Sequence, residues 1–202
     1  AATEIRDRSA AAAQRGLGPV VESLEQKTVR EPPPLLFDLT ALQRTANRRF
    51  GFSAQQTLQV AQALYEKHKI ITYPRTDSRY LTSDVHGQLG RIFAGLAQEP
   101  AYQPLVAPLQ TQPPAPIRRV FQDGKARDHH AIIPTPVALT GARMAALSRE
   151  ERDLFDLIAR RFIGAFYPDA EFLQTVVEVR VGPPAPPPVE GREKREKKTD
   201  EA

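Results

Sequence analysis

The 202-residue chain contains no cysteine, and this absence excludes disulfide bridges and thiolate metal sites. Its four histidines follow no spacing typical of zinc sites, and the adjacent His129 and His130 cannot both face one ion from a regular element. The sequence has no signal peptide and no apolar run of about 18 or more residues. We therefore predict no metal ligand, no membrane partner and a cytoplasmic location.

Positive charge is concentrated in one part of the chain. The formal net charge is only +4, from 28 basic and 24 acidic residues. Between residues 44 and 79, however, seven basic residues stand against two acidic ones. Such a local excess attracts phosphate groups, although a solvated face without any partner would have the same composition. Charge alone leaves both interpretations open.

The segment 70–79 reads IITYPRTDSR and is the most informative part of the sequence. Its β-branched start favours a strand, and a residue before proline is pushed away from helix, so Tyr73 is predicted at a strand end. Pro74 stiffens the exit, and Arg75 would lie on the same side as Tyr73 in an extended chain. A guanidinium fork can bind two phosphate oxygens, and a phenol attacks phosphate once a base or cation favours the phenolate. The segment is therefore a candidate site for covalent catalysis on a phosphate group.

On physical grounds alone, the same residues also fit a strand-end tyrosine followed by a turn that Asp77 and Ser78 stabilise. The wider sequence favours the catalytic interpretation. Residues 73–81 (YPRTDSRYL) resemble the active-site tyrosine loop of type IA DNA topoisomerases, especially the topoisomerase III branch. Four further segments resemble that family in the same order along the chain: 33–43, 46–53, 57–66 and 128–135 (DHHAIIPT).

The resemblance implies an activity and roles for individual residues. In that family a tyrosine attacks a DNA phosphodiester, keeps the 5′ phosphate in a phosphotyrosine bond and frees a 3′ hydroxyl that later attacks back, without ATP. Tyr73 would be the nucleophile, Arg75 would support the scissile phosphate, and His129 would lie near the cleaved strand. The implied function is to relax or decatenate DNA by breaking and rejoining one strand. The other residues assigned to DNA binding are Arg48, Arg49, Thr76, Asp77, Ser78 and Arg79.

The resemblance also implies a cofactor that this chain is not expected to hold. The family binds Mg²⁺ through acidic residues of a separate domain, and no Asp-x-Asp-x-Glu spacing occurs here. We therefore expect Mg²⁺ only in the full enzyme, and two partners: single-stranded DNA and the missing acidic metal-binding domain. Alone, the DNA-associated chain should bind DNA and barely cleave it. The alternative is a non-catalytic single-stranded DNA-binding accessory module derived from the same fold.

Helix signals are frequent after residue 38. Capping residues followed by apolar positions at helical spacing mark several starts. Six prolines between residues 98 and 117 predict a connection without an element of its own. The predicted helix starts are Thr40, Ser53, Thr82 or Ser83, and Ser148.

The predicted fold is α+β and mainly helical. By resemblance, it contains a winged-helix-like tyrosine domain flanked by short β-strands of an arch domain. The Pro-rich, charged carboxyl-terminal segment cannot bury a core and is predicted to be a disordered tail. The expected organisation is an amino-terminal helix and arch strand in 1–31, the catalytic-tyrosine domain in 32–140, a helix and strand returning to the arch in 141–181, and the tail in 182–202.

Overall fold

The computed structural model describes residues 19–112, 114, 117–126 and 128–180, together with residues 6, 7, 10, 11 and 14. The chain divides into two compact units. One unit is built from the segments before residue 30 and after residue 170, and the other runs from Arg30 to Ala170. The predicted tail in 182–202 and most of the predicted amino-terminal helix lie outside the described residues.

Two strands form the sheet of the first unit: β1 (Val20–Glu31) and β2 (Ala170–Arg180). They run antiparallel, since Ser23 Oγ donates to Glu178 at 2.8 Å while Gln26 Nε2 donates to Thr175 at 3.2 Å. The strands predicted in both segments are therefore confirmed. Most of their side chains are exposed, because a two-stranded ribbon is too narrow to bury a face of its own.

The second unit is helical, and the α+β, mainly helical prediction is confirmed. None of the described helices is long and apolar enough to cross a bilayer. In chain order the helices are α1 (Leu39–Phe50), α2 (Ala54–Glu66), α3 (Ser83–His86), α4 (Leu89–Leu96), α5 (Gln103–Thr111), α6 (Gly141–Ala145) and α7 (Arg149–Gly164).

Local capping chemistry sets most of the helix boundaries. Ser53 and Ser148 cap α2 and α7 as predicted, and α7 has a complete capping box. Gly51 ends α1 in the left-handed region with φ of 74°, which favours glycine. The predicted start at Thr40 was wrong by two residues, because the Asp38 carboxylate caps α1 instead.

The prediction of a connection without an element between residues 98 and 117 was wrong, because this segment contains α5. Pro104 lies in the first turn, where its missing N–H would have no internal partner in any case. Pro108 lies inside the helix, but α5 has only nine residues, so few internal bonds are at stake. Burial of Val106 in the core stabilises the helix against these prolines.

The core of the second unit lies between α1, α2 and α7, and α4 packs against α5 beside it. Burial of large apolar side chains stabilises the unit by about 1.5–3 kcal/mol for each of them before entropy is counted. This core supports the segment that carries Tyr73, since Ile70 and Ile71 are part of it. Its largest buried side chains include Phe37, Leu42, Leu64, Phe93, Tyr102, Phe155 and Phe162.

Two glycines of α4 provide a test of this packing. A Cβ at Gly95 would lie 2.8 Å from the carbonyl oxygen of Val137, whereas a Cβ at Gly90 would meet open space. We expect Gly95→Ala to lower the free energy of unfolding by about 1–3 kcal/mol, since backbone is in the way. Gly90→Ala should raise it by up to about 1 kcal/mol through helix propensity. Urea unfolding measures both, and equal effects would contradict the close approach at Gly95.

Candidate active site

Tyr73 lies at the end of an extended segment that pairs with residues 131–135. An antiparallel bridge joins Ile71 to Pro134, and the Thr135 N–H donates to the Ile70 carbonyl at 3.0 Å. The chain turns from α2 into this segment at Lys69, whose φ is 59°. The strand end predicted for Tyr73 is thus an isolated pairing with a remote segment and not part of a wider sheet.

A buried polar pair anchors the base of this segment to α7. His68 Nε2 lies 3.2 Å from Glu151 Oε1, and both side chains are largely buried. The other Glu151 oxygen accepts from the Ser148 N–H at 2.8 Å as part of the capping box. One carboxylate therefore caps α7 and also holds the turn that leads to Tyr73.

Thr72 fixes the spacing between Tyr73 and the histidine motif. Its backbone N–H donates to the Ile133 carbonyl at 2.9 Å. Its hydroxyl donates to the Ala131 carbonyl at 3.1 Å and accepts from the Ile133 N–H at 3.0 Å. Because Thr72 adjoins Tyr73, and Ala131 lies two residues after His129, these bonds hold the two candidate catalytic residues at a set separation.

The rings of Tyr73 and His129 are in contact, with centroids 4.5 Å apart and an angle of 45° between their planes. The edge of Tyr65 meets Tyr73 at 5.6 Å. Tyr73 is partly exposed and His129 is exposed, so the tyrosine is not sealed in the apolar interior. A ligand can reach both residues from solvent.

Tyr73 and His129 line an open cleft of about 320 Å³. Sequence reasoning missed two polar residues of its walls, Thr82 immediately before α3 and Asp84 within α3. Their one sequence signal was the predicted helix start at Thr82 or Ser83. The remaining lining residues are Thr72, Ala126, Asp128 and His130.

Arg75 and Asp77 lie on the exposed surface of the tyrosine loop. Within the described part of the chain, neither makes a hydrogen bond or ion pair, and Arg75 does not line the cleft. The structure thus brings Tyr73 and His129 together but places Arg75 against neither. Its guanidinium is available to a ligand.

Thr76 and Ser78 are buried, with 5% of each residue exposed. The Thr76 hydroxyl donates to the His129 carbonyl at 3.3 Å and accepts from the Ser78 N–H at 3.0 Å. The Ser78 hydroxyl donates to the Lys125 carbonyl at 3.1 Å. Both hydroxyls form hydrogen bonds inside the protein, and these bonds hold the loop against the segment that carries His129.

The other predicted DNA-binding residues lie outside the cleft lining. Arg48 and Arg49 are exposed in the last turn of α1. Arg79 is partly buried, and its Nε donates to the Leu36 carbonyl at 3.1 Å. These cations therefore belong to a different part of the surface from the Tyr73 cleft.

The cleft does not fit a magnesium ion by its own residues. Mg²⁺ requires six oxygen ligands in near-octahedral geometry, mostly carboxylates, phosphates and waters. Among the residues that the structure describes, no three His, Asp or Glu side chains gather where they could hold a metal. The carboxylates of the cleft walls, Asp84 and Asp128, are both exposed.

Comparison with known proteins identifies relatives of this chain. The DNA topoisomerase family profile matches residues 3–198. The chain is 46% identical over 160 residues to DNA topoisomerase 3 of Shouchella clausii, and 42% identical over 168 residues to DNA topoisomerase 3 of Bacillus subtilis. These matches cover 79% and 83% of this chain but 21% and 23% of the relatives. The chain thus spans about a fifth of the length of the curated relatives it matches.

The fold also resembles part of a solved structure, that of full-length topoisomerase I from Thermotoga maritima. The TM-score is 0.58 at 23% identity, over 85% of this chain and 27% of that one. At this identity, the likeness shows a shared fold. The family match covers residues 3–198 and so includes both the tyrosine segment and the histidine motif. The resemblance seen in the sequence is confirmed, and the chain belongs to the DNA topoisomerase family.

Proposed function

We propose that this chain carries the catalytic-tyrosine region of a type IA DNA topoisomerase, which breaks and rejoins one DNA strand through a 5′-phosphotyrosine intermediate. The observation that carries the proposal is the contact between the Tyr73 and His129 rings on an open cleft. Because the chain belongs to the DNA topoisomerase family, we assign these two residues to the cleavage of DNA. The whole enzyme would relax or decatenate DNA.

In the proposed reaction, the Tyr73 oxygen forms a bond to phosphorus as the 3′ oxygen of the DNA leaves. The reverse attack by that 3′ hydroxyl restores the strand. One phosphodiester replaces another, so no ATP is needed. Negative charge grows on the phosphate oxygens during each transfer, and fixed cations lower the barrier most when they face those oxygens. His129, in contact with Tyr73, would lie beside the same phosphate.

Arg75 would supply such a cation. Its guanidinium is exposed and has no partner within the described part of the chain. A planar fork can bind two oxygens of one phosphate, which both neutralises and orients the group. We propose that Arg75 closes on the scissile phosphate when DNA occupies the cleft, with Arg48, Arg49, Asp77 and Arg79 as further contacts of the bound strand.

Helices α1 and α2 support a winged-helix-like core for the proposed tyrosine domain in 32–140. They pack against each other across the turn at Gly51, as the helices of a helix-turn-helix do. We propose that β1 and β2 belong to an arch domain. In this arrangement, the tyrosine loop follows α2 directly, so the packing of α2 fixes where the loop begins.

Mg²⁺ and the acid that protonates the leaving oxygen would come from a separate acidic domain of the same enzyme. The described residues do not form a site for that ion. Without these groups the chain should bind single-stranded DNA and cleave it very slowly. A non-catalytic DNA-binding module is the alternative, and adduct formation distinguishes the two.

Tyr73→Phe should abolish covalent attachment of DNA, because it removes the attacking oxygen and keeps the ring. The assay mixes the chain with the separately produced acidic domain of a DNA topoisomerase 3, Mg²⁺ and end-labelled single-stranded DNA, and detects protein-linked label on a denaturing gel. Tyr65→Phe is the matched control, since it also removes one hydroxyl and keeps the ring contact with Tyr73. No adduct with the unchanged chain would leave only the binding module, whereas an adduct that persists with Tyr73→Phe would show that Tyr73 is not the nucleophile.

Thr72→Val should reduce the rate of adduct formation about tenfold or more, because it removes both hydroxyl bonds that set the separation of Tyr73 and His129. Thr72→Ser keeps the hydroxyl and should restore most of the rate. Single-turnover adduct formation at saturating DNA measures the effect, with DNA affinity recorded separately. Equal rates for the valine and serine variants would show that the hydroxyl does not position the site.

Arg75→Ala should weaken binding of single-stranded DNA and reduce its dependence on salt. Each lost phosphate contact lowers the slope of log K against log salt by about 0.7. Fluorescence anisotropy of a labelled oligonucleotide at several salt concentrations gives both quantities. Arg91 is an exposed residue of α4, so Arg91→Gln is the control for the loss of one positive charge elsewhere on the surface. Unchanged affinity and slope would remove Arg75 from the contacts.

A further inference from the structure

Two arginines are held side by side where the chain enters the second unit. Arg161 Nη1 donates to the Leu35 carbonyl at 2.9 Å, and its guanidinium lies 4.1 Å from the centre of the Phe37 ring. Arg79 Nε donates to the next carbonyl, that of Leu36, at 3.1 Å. Adjacent carbonyl groups thus fix two guanidinium groups from remote parts of the sequence, and each keeps further N–H donors.

Arg48 and Arg49 complete what we call the arginine cluster: Arg48, Arg49, Arg79 and Arg161. Arg49 lines the same surface recess as Arg161. Over the part of the chain that the structure describes, no carboxylate forms an ion pair with any of the four. By contrast Arg160, the neighbour of Arg161 in sequence, pairs with an Asp156 oxygen at 2.8 Å. Each guanidinium of the cluster is therefore without an ion-pair partner among the described residues, unlike that of Arg160.

The cluster concentrates like charges at an energetic cost. Partial burial lowers the pKa of the Arg161 guanidinium, and the positive charges of Arg79, Arg49 and Arg48 lower it further. Such repulsion between cations is relieved when an anion binds among them. Phosphate groups suit this arrangement best, because several guanidinium forks can share their oxygens.

We propose that the arginine cluster is a second DNA-contact site, which binds the phosphate backbone of the single strand whose cleavage site occupies the Tyr73 cleft. The inference rests on the proposed function and adds Arg161, which sequence reasoning did not single out. Arg79 is six residues after Tyr73, so the two are at most about 20 Å apart. A single strand a few nucleotides long can span that distance.

Backbone contacts of this kind position a strand without reading its bases. The cluster would hold the DNA on one side of the break while Arg75 and His129 face the scissile phosphate. Because the Arg161 stem is anchored on the Phe37 ring and the Leu35 carbonyl, this arginine is oriented before DNA arrives. Less side-chain freedom is then lost on binding.

The test is the salt dependence of single-stranded DNA binding by the full chain, measured by anisotropy with a labelled oligonucleotide. We expect Arg49→Gln and Arg161→Met each to lower the slope by about 0.7 and to weaken binding several-fold at moderate salt. Methionine keeps an apolar stem over Phe37, and Arg49 is exposed, so Arg49→Gln tests the cluster even if Arg161→Met unfolds. Arg91→Gln in α4 is the control and should leave the slope unchanged.

The outcomes separate this inference from the proposed function. If both cluster variants match Arg91→Gln, the arginine cluster is not a DNA site, whatever happens at Tyr73. If the slopes fall but no Tyr73-dependent adduct forms with the acidic domain and Mg²⁺, the DNA site stands and the covalent chemistry does not. If the unchanged chain fails to bind single-stranded DNA at low salt, both are overturned.

Discussion

The candidate site depends on the pairing between the tyrosine segment and residues 131–135. Ile71 and Ile133 are buried, and backbone groups that enter an apolar core must find partners there. Each segment supplies those partners to the other, across a sequence separation of about sixty residues. Tyr73 and His129 lie where the two segments emerge from the core, so the contact between their rings is a consequence of satisfying the buried backbone.

The charges around this pairing are divided between two surfaces. The cleft walls carry the exposed carboxylates Asp84 and Asp128, which repel a phosphate unless cations outweigh them. The cations come from outside the cleft, from Arg75 on the loop and from the arginine cluster. A strand held only by the cleft would be weakly bound, whereas one that also crosses the arginine cluster gains contacts remote from the bond to be broken.

Stability and function use different residues of the same short segment. Alternate residues of the tyrosine loop are taken up inside the protein, where Thr76 and Ser78 bond to backbone groups. Arg75 and Asp77, between and beside them, remain exposed. The buried hydroxyls fix the path of the loop, and the exposed charges meet solvent or ligand. This alternation explains how a loop without helix or strand can present a nucleophile at a fixed place.

Sequence alone determined the features that depend on neighbours along the chain: the caps at Ser53 and Ser148, the strand-end position of Tyr73, the local excess of positive charge and the family resemblance. It could not determine α5, because burial of apolar side chains from remote parts of the chain outweighed the effect of its prolines. Nor could it reveal the roles of Thr72 and Arg161. Their partners lie up to 126 residues away, and only the tertiary structure brings such groups within hydrogen-bond distance.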